Sequence, residues 1–123
     1  MPRNRKTAQR SPPQNRLRII GGQWRGRKLA FPDEPGLRPT PDRIRETLFN
    51  WLSPGLYGAH CLDLFAGSGA LSFEALSRGA RSATIIDQSP KVIHQLQQNL
   101  TELSCQSAEL VRANTLHWLE SLK

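Results

Sequence analysis

From residue 59 onward, apolar strand-like runs alternate with helical segments, and this alternation constrains the fold more than any other feature. The runs at 59–65, 82–87 and 108–113 predict buried strands. Helical segments at 70–78 and from Ser89 onward separate them. Strands that alternate with helices pair in parallel through right-handed crossovers. The sequence therefore predicts an α/β fold with a parallel, doubly wound sheet.

A glycine turn, Asp63-Leu-Phe-Ala-Gly-Ser-Gly69, follows the first predicted strand. Open α/β sheets bind ligands at this edge, where the strand order reverses. Gly67 and Gly69 let the backbone turn sharply and approach a ligand closely. The loop lacks the third glycine of a dinucleotide-binding motif, and the carboxylate of Asp63 would repel a pyrophosphate. Asp63 can accept a hydrogen bond from an ammonium group, which favours S-adenosylmethionine over NAD.

Polar residues also follow the second and third predicted strands. Asp87 can accept hydrogen bonds from both hydroxyls of a ribose. The alternative for Asp87 is a helix cap, but Ser89 already supplies one, with Pro90 in the first turn. Asn114 lies at the same edge of the sheet, where it could contact an adenine or cap the helix that follows it. The sequence leaves these two roles of Asn114 open.

All of the excess positive charge lies at the N-terminus. Residues 1–28 hold nine basic side chains and no acid, and the whole chain carries a net charge of +7. Such an asymmetry is typical of an arm that binds a polyanion. Residues 1–15 lack apolar periodicity and are expected to be a disordered basic tail. Apolar runs on both sides of Gly21-Gly22 predict a basic β-hairpin at 16–31.

A linker and a helix are predicted at 32–58. The linker contains three prolines, and the helix is expected to begin with Thr40 as its cap and Pro41 in its first turn. We expect it to end at Pro54-Gly55. Four apolar side chains recur along it at helical spacing: Ile44, Leu48, Trp51 and Leu52.

Several protein classes are disfavoured. Cys61 and Cys105 belong to no CxxC motif, and no histidine stands at metal-ligand spacing from them, so neither a disulfide framework nor a metal site is expected. No apolar run approaches the roughly 18 residues of a membrane span, and the basic N-terminus precedes no signal-peptide core. We expect a cytoplasmic protein with reduced thiols and no membrane partner.

Three stretches carry a resemblance to a known family: LRIIGGQWRGRKL (17–29), GLRPTPDRIRETLFNWL (36–52) and CLDLFAGSGALSFEALSRGA (61–80). The chain resembles the class I S-adenosylmethionine-dependent methyltransferases, and most closely the 16S rRNA (guanine-N2)-methyltransferases of the RsmD family. The resemblance covers about residues 16–120. It implies a Rossmann-like fold, of which 59–123 would form the first three βα units, with an N-terminal β-hairpin extension.

The resemblance also implies residue roles. The cofactor, S-adenosyl-L-methionine, would be held by the glycine loop, by polar residues after the next two strands and by the helix over its methionine end: Asp63, Phe65, Ala66, Gly67, Ser68, Gly69, Asp87, Asn114, Thr40, Arg43 and Asn50. The alternative for Arg43 is an exposed ion pair with Glu46, which would stabilise the helix little. The hairpin would hold RNA through six residues: Arg16, Arg18, Trp24, Arg25, Arg27 and Lys28. Trp24 could stack on a base or pack against the domain, and both roles stay open.

In this superfamily, an Asp/Asn-Pro-Pro-aromatic motif after the fourth strand orients the amine that is methylated. The Pro-Pro of this chain, Pro12-Pro13, lacks the aromatic residue and follows no strand. The sequence ends at Lys123, and we expect the catalytic motif to lie beyond that residue. The expected protein is therefore a C-terminally truncated methyltransferase that contains no catalytic residues, is inactive alone and exposes an unpaired apolar edge at its last strand.

The leading hypothesis is the N-terminal part of an enzyme that methylates the exocyclic N2 of a guanine in 16S rRNA. Such an enzyme would act as a monomer on an assembled small ribosomal subunit. One alternative is a non-catalytic RNA-binding module on an α/β half-domain. Another is a small-molecule or DNA methyltransferase, which the basic hairpin disfavours.

Overall fold

A computed structural model describes residues 15–122. The predicted tail at 1–15 lies outside this range except for Asn15. Lys123, the residue beyond which the catalytic motif is expected, also lies outside the described residues. The structure therefore tests neither the expected disorder of the tail nor the expected position of the motif, and both stay predictions.

The described chain begins with two short strands, β1 (Arg16–Arg18) and β2 (Lys28–Ala30), which pair antiparallel. Leu17 lies opposite Leu29 in this pair, and both side chains are buried. The predicted hairpin extension is therefore present, with a long turn between its strands.

Helix α1 (Asp42–Leu56) departs from the prediction at both ends. Pro41 occupies the cap position and no side chain caps the helix, so the predicted capping role of Thr40 is wrong. The backbone carbonyl of Thr40 instead accepts a hydrogen bond from the Arg45 guanidinium. The helix also continues through Pro54, which lies in its last turn, so the expected end at Pro54-Gly55 is too early.

The buried face of α1 is not its apolar stripe. Phe49 and Leu56 are buried, and so is the charged Arg45. By contrast, Ile44, Trp51 and Leu52 of the predicted stripe are 56%, 77% and 46% exposed. Helical spacing identified an apolar stripe correctly, but α1 packs on α2 through a different side of the helix.

The α/β part has the predicted order of elements. Its bounds are β3 (His60–Asp63), α2 (Ala70–Ser77), β4 (Ser82–Asp87), α3 (Pro90–Glu102), β5 (Ala108–Arg112) and α4 (Thr115–Glu120). The three strands are parallel and lie in the order β3-β4-β5. The predicted cap of α3 is confirmed, since Ser89 Oγ accepts a hydrogen bond from the backbone N–H of Val92 at 3.2 Å. The α/β fold class predicted from the alternation is confirmed.

One hydrophobic core joins the hairpin to the sheet. Leu17 and Leu29 of the hairpin pack in the same buried cluster as Phe73 of α2, Ile85 of β4 and Leu96 of α3. The hairpin is therefore part of the domain core rather than an appended arm.

The unpaired edge expected at the last strand is present in the sheet of the described residues, but its exposed side chains are not apolar. β5 is an edge strand, but its exposed side chains, Glu109 and Arg112, are charged. The apolar exposure is at the opposite edge, where Leu62 of β3 is 50% exposed and Phe65 just beyond it is 79% exposed.

Because the three parallel strands lie in the sheet in the same order as in the chain, the described residues contain no reversal of strand order.

Between residues 15 and 122, no helix is both long enough and apolar enough to span a bilayer.

Candidate functional site

The two glycines of the loop after β3 have different structural requirements. Both have positive φ, 52° at Gly67 and 82° at Gly69. A Cβ atom on Gly69 would lie 2.6 Å from the Phe73 ring, so tight packing excludes a side chain there. A Cβ on Gly67 would meet only the Leu37 side chain, at 3.8 Å. The surface of the loop at Gly67 is therefore open to a ligand.

Asp87 at the end of β4 holds this loop in place. Its Oδ2 accepts a hydrogen bond from the backbone N–H of Gly67 at 3.0 Å, and its Oδ1 accepts one from the N–H of Ser89 at 2.9 Å. The carboxylate is half-buried, and each oxygen keeps a second lone pair. Asp87 therefore has a structural role and retains acceptor capacity for a ligand.

Two pockets lie on either side of Phe65. The first, of about 170 Å³, lies between the loop and the linker and includes Thr40, Asp63, Ala66, Gly67 and Ser68 in its lining. The second, of about 310 Å³, is lined by residues that follow all three strands, among them Asp87 and Asn114. Phe65 lines both pockets. The loop, Asp87, Asn114 and Thr40 are thus brought to one edge of the sheet.

Not all predicted residues reach this edge. Arg43 and Asn50 are exposed on α1 and line neither pocket. Arg43 and Glu46 form no salt bridge among the described residues. The linker instead contributes Arg38 to the first pocket, a residue that the prediction did not include. Its position two residues before Thr40, in a stretch that carries the family resemblance, was the available signal.

Asp63 and Asn114 each make one hydrogen bond to their own surroundings. Ser72 Oγ donates to Asp63 Oδ2 at 2.5 Å, a contact that sequence reasoning missed. Asn114 Oδ1 accepts from the backbone N–H of His117, so this residue does cap α4. The side-chain amide of Asn114 has no hydrogen-bond partner within residues 15–122 and remains available at the second pocket.

The outward face of the hairpin is basic. Arg16, Arg18 and Lys28 lie on the side opposite the buried leucines, and Arg18 stands directly across from Lys28. Like charges in such a pair are destabilising. The charge of Arg18 is partly compensated by Asp42, whose Oδ2 lies 3.2 Å from Arg18 Nη2.

The turn of the hairpin adds Arg25 and Arg27, both exposed. Arg27 donates to the backbone carbonyl of Glu102 at 3.4 Å. Trp24 is half-buried and packs against the hydrophobic core, which supports the packing role of this residue.

A buried charged cluster, the Glu74 cluster, attaches the hairpin to α2 and α1. It consists of Glu74, Arg45 and Arg78, and Glu74 and Arg45 are 0% and 1% exposed. Glu74 accepts from the backbone N–H groups of Ile20 and Gly21 at 3.0 and 2.8 Å. Arg45 donates to the carbonyl of Arg18 at 2.8 Å. Sequence reasoning missed this cluster, because buried charges interrupt the apolar pattern it relied on.

Cys61 lies on β3, two residues before Asp63. Burial, and secondly the charge of Asp63, raise its pKa above the ordinary value. Because the thiolate is the reactive form, we expect Cys61 to alkylate more slowly at neutral pH in the folded chain than in the urea-unfolded chain. Its reactivity should begin at higher pH in the folded chain.

Iodoacetamide labelling followed by peptide mapping measures Cys61 separately from Cys105. Asp63→Asn should speed the labelling of Cys61, since it removes the second cause of the raised pKa. Equal labelling rates in the folded and unfolded chains would contradict the prediction.

Within the part of the chain that the structure covers, no group of three or more potential metal ligands is found.

Comparison with known proteins agrees with this geometry. A family model described as "Conserved hypothetical protein 95" matches residues 17–123. The chain is 59% identical over 103 residues to "Ribosomal RNA small subunit methyltransferase D" of Escherichia coli K12, covering 84% of this chain and 52% of the relative. The protein of the same name from Haemophilus influenzae is 51% identical over 106 residues, covering 85% and 55%. The chain spans about half the length of the curated relatives it matches.

Solved structures match the fold. Escherichia coli yhhF superposes with a TM-score of 0.80 at 53% identity, covering 85% of this chain and 56% of that one. A domain of precorrin-6Y C5,15-methyltransferase from Rhodobacter capsulatus, at 22% identity and a TM-score of 0.61, shares the fold alone; the match covers 76% of this chain and 49% of that one. Because the family model covers nearly the whole chain, the chain belongs to the family described as "Conserved hypothetical protein 95", the RsmD family that its motifs resemble.

Proposed function

We propose that this chain supplies the S-adenosylmethionine site and the RNA-binding hairpin of an enzyme that methylates the exocyclic N2 of a guanine in 16S rRNA. The observation that carries the proposal is the contact between Asp87 and Gly67, which joins two pockets at the end of a parallel sheet. The rRNA substrate is supported by the names of the relatives, which are small-subunit rRNA methyltransferases. The positive charge of the hairpin is also what an rRNA target, single-stranded or structured, requires of its binding surface.

The first pocket suits the methionine end of the cofactor. Asp63 has acceptor capacity beyond its bond from Ser72 and can receive a hydrogen bond from the ammonium group. Arg38 in the same lining can pair with the carboxylate, and the open face of Gly67 lets the backbone approach. When bound, S-adenosylmethionine supplies a methyl group on a positively charged sulfur, which is the electrophile for an amine.

The second pocket suits the adenosine end. The free lone pairs of Asp87 can accept hydrogen bonds from the ribose hydroxyls, and the free amide of Asn114 can donate to the adenine edge. The exposed ring of Phe65, which lines both pockets, shields the junction between the two ends of the cofactor. We infer that these 123 residues bind the cofactor and RNA. The residues that orient the target amine would come from the part of the relatives' length that this chain does not cover.

Cofactor binding tests the proposal most directly. Replacing Asp87 with alanine should weaken the affinity for S-adenosylmethionine by at least about 10-fold, because hydrogen bonds to a charged group contribute about 1.5–3 kcal/mol each. Asn114→Ala should cost only a few-fold, since it removes one neutral contact. Isothermal titration calorimetry measures both values.

Glu109→Ala is the matched control, because this exposed carboxylate on β5 lies away from both pockets. Its affinity should equal that of the unsubstituted chain. An Asp87→Ala variant that folds and binds as tightly as the Glu109→Ala variant would refute the assignment of the site. RNA binding without any cofactor binding would favour the non-catalytic module.

Methyl transfer itself is tested with the other half of a relative supplied. In a chimaera, residues 1–123 replace the matching half of the Escherichia coli relative, and tritiated S-adenosylmethionine is the donor. We expect label in the 16S rRNA of small subunits that lack the modification, and none with residues 1–123 alone. Absence of label from the chimaera, when the intact relative transfers it, would contradict the proposed activity.

A further inference from the structure

A groove of about 600 Å³ lies between the hairpin and α3. We call it the hairpin–α3 groove. One wall carries Arg16 and Lys28 of the hairpin, and the other carries His94, Gln98 and other polar residues of α3. None of its lining residues lines either pocket of the proposed cofactor site.

The hairpin wall carries uncompensated positive charge. Among residues 15–122, neither Arg16 nor Lys28 has a carboxylate within salt-bridge distance, in contrast to Arg18. Residues 1–14 contain no acidic side chain that could supply one. The acid in the lining, Glu102, lies at the C-terminal end of α3. The hairpin wall therefore attracts an anion along most of its length, since Glu102 lies at one end of the opposite wall.

The α3 wall offers hydrogen-bonding side chains. His94 and Gln98 are four residues apart and share one face of the helix. Both are exposed, and neither side chain has a hydrogen-bond partner within the described residues. A row of cations facing a row of amide and imidazole groups matches the alternating phosphates and hydroxyls of a ribose-phosphate backbone.

The two walls are fixed to each other before any ligand binds. Asn99 of α3 is 1% exposed, and its Nδ2 donates to the backbone carbonyl of Ala30 in β2 at 2.9 Å. Gln95 Nε2 in turn donates to Asn99 Oδ1 at 3.1 Å, which holds the amide in this orientation. At the turn of the hairpin, Arg27 bonds to the carbonyl of Glu102. A preformed groove binds with less loss of conformational entropy than a mobile one.

We propose that the hairpin–α3 groove binds the sugar-phosphate backbone of the substrate RNA, so that the RNA footprint extends from the hairpin onto α3. This inference rests on the proposed function, which supplies the RNA. It assigns RNA contacts to α3, whose residues in the groove include no lysine or arginine.

The test uses Gln98→Glu, which adds a negative charge to the α3 wall and leaves the basic residues intact. Gln106→Glu is the matched control, since this exposed glutamine lies in the loop after α3, outside the groove. Fluorescence anisotropy with a fragment of 16S rRNA should show binding weakened about fivefold or more by Gln98→Glu and unchanged by Gln106→Glu. Lys28→Gln should weaken binding and lower the salt dependence of log K by about 0.7–0.9, the contribution of one phosphate contact.

The outcomes separate the two proposals. Weakening by Lys28→Gln with equal affinities for Gln98→Glu and Gln106→Glu would overturn the groove and leave RNA binding by the hairpin standing. An unsubstituted chain that binds S-adenosylmethionine but no RNA would overturn both the RNA substrate and the groove. Photo-crosslinking with 4-thiouridine RNA gives a second measurement, in which the expected adducts lie within residues 94–102 and their absence contradicts the proposal.

Discussion

Replacing Glu74 with alanine is expected to lower the free energy of unfolding by about 3–5 kcal/mol, because it breaks a buried ion pair by removing one partner. The loss leaves the guanidinium of Arg45, 1% exposed, with only the half-exposed Asp42 as a counter-charge. It also leaves the part-buried N–H of Ile20 and the buried N–H of Gly21 without their acceptors. Since small domains are stable by about 5–15 kcal/mol, this change removes a large part of the total. Urea denaturation followed by circular dichroism measures it.

Two further variants make the result interpretable. Glu46→Ala removes an exposed carboxylate from α1 and should change stability by no more than about 0.5 kcal/mol. Glu74→Gln keeps the volume of the side chain and one acceptor oxygen. Its stability should therefore lie between those of Glu74→Ala and Glu46→Ala. If Glu74→Ala were as stable as Glu46→Ala, the Glu74 cluster would not be what holds the hairpin to the domain.

The position of Glu74 connects the two parts of the proposed function. Helix α2 begins directly after Gly69 of the glycine loop that follows β3, and Glu74 lies one turn further on. Its carboxylate binds the backbone of the hairpin turn, while its own helix anchors the loop. Movement of the hairpin relative to the loop therefore requires breaking the hydrogen bonds from Ile20 and Gly21 to Glu74, which fix the distance between the proposed RNA-binding and cofactor-binding surfaces.

Features that depend on local sequence were predictable. The alternation of strands and helices identified the α/β fold, since each element has its own apolar period. The cap of α3 followed from Ser89-Pro90, because its hydrogen bond spans only three residues. The helical segment expected at 70–78 is α2, and Gly79, with a φ of 108°, follows its C-cap residue Arg78. Each of these signals lies within the element that it controls.

Features that depend on tertiary contacts were not predictable. The stripe of Ile44, Trp51 and Leu52 shows that α1 is amphipathic, yet the stripe stays exposed and Arg45 is buried. Burial of Arg45 depends on Glu74, 29 residues away, which helical spacing cannot reveal. Likewise, the carboxylate of Asp87 was predicted at the correct edge, but its bond to Gly67 across 20 residues needed the folded structure.

Gly22→Ala is the second change with a large expected effect, a loss of about 3–5 kcal/mol in the free energy of unfolding. Gly22 has a φ of +80°, which costs an L-residue about 1–2 kcal/mol. Its added Cβ would also lie 2.0 Å from the backbone carbonyl oxygen of Ser77, which cannot rotate away. The turn would have to move off α2 and lose hydrogen bonds that contribute about 1 kcal/mol each.

Those hydrogen bonds all involve Ser77. Its carbonyl accepts from Gln23 N–H at 2.8 Å, and its Oγ accepts from Trp24 N–H at 2.9 Å and donates to the Gly21 carbonyl at 2.6 Å. Gly26→Ala is the matched control, because Gly26 has a φ of +83° but no atom within 4 Å of its added Cβ. Gly26→Ala should lower the free energy of unfolding only by the cost of the positive φ, about 1–2 kcal/mol. If urea denaturation gave the same loss of unfolding free energy for the two variants, the contact with α2 would contribute nothing to stability. A larger loss of unfolding free energy for Gly22→Ala than for Gly26→Ala would demonstrate that the contact between the hairpin turn and α2 stabilises the domain.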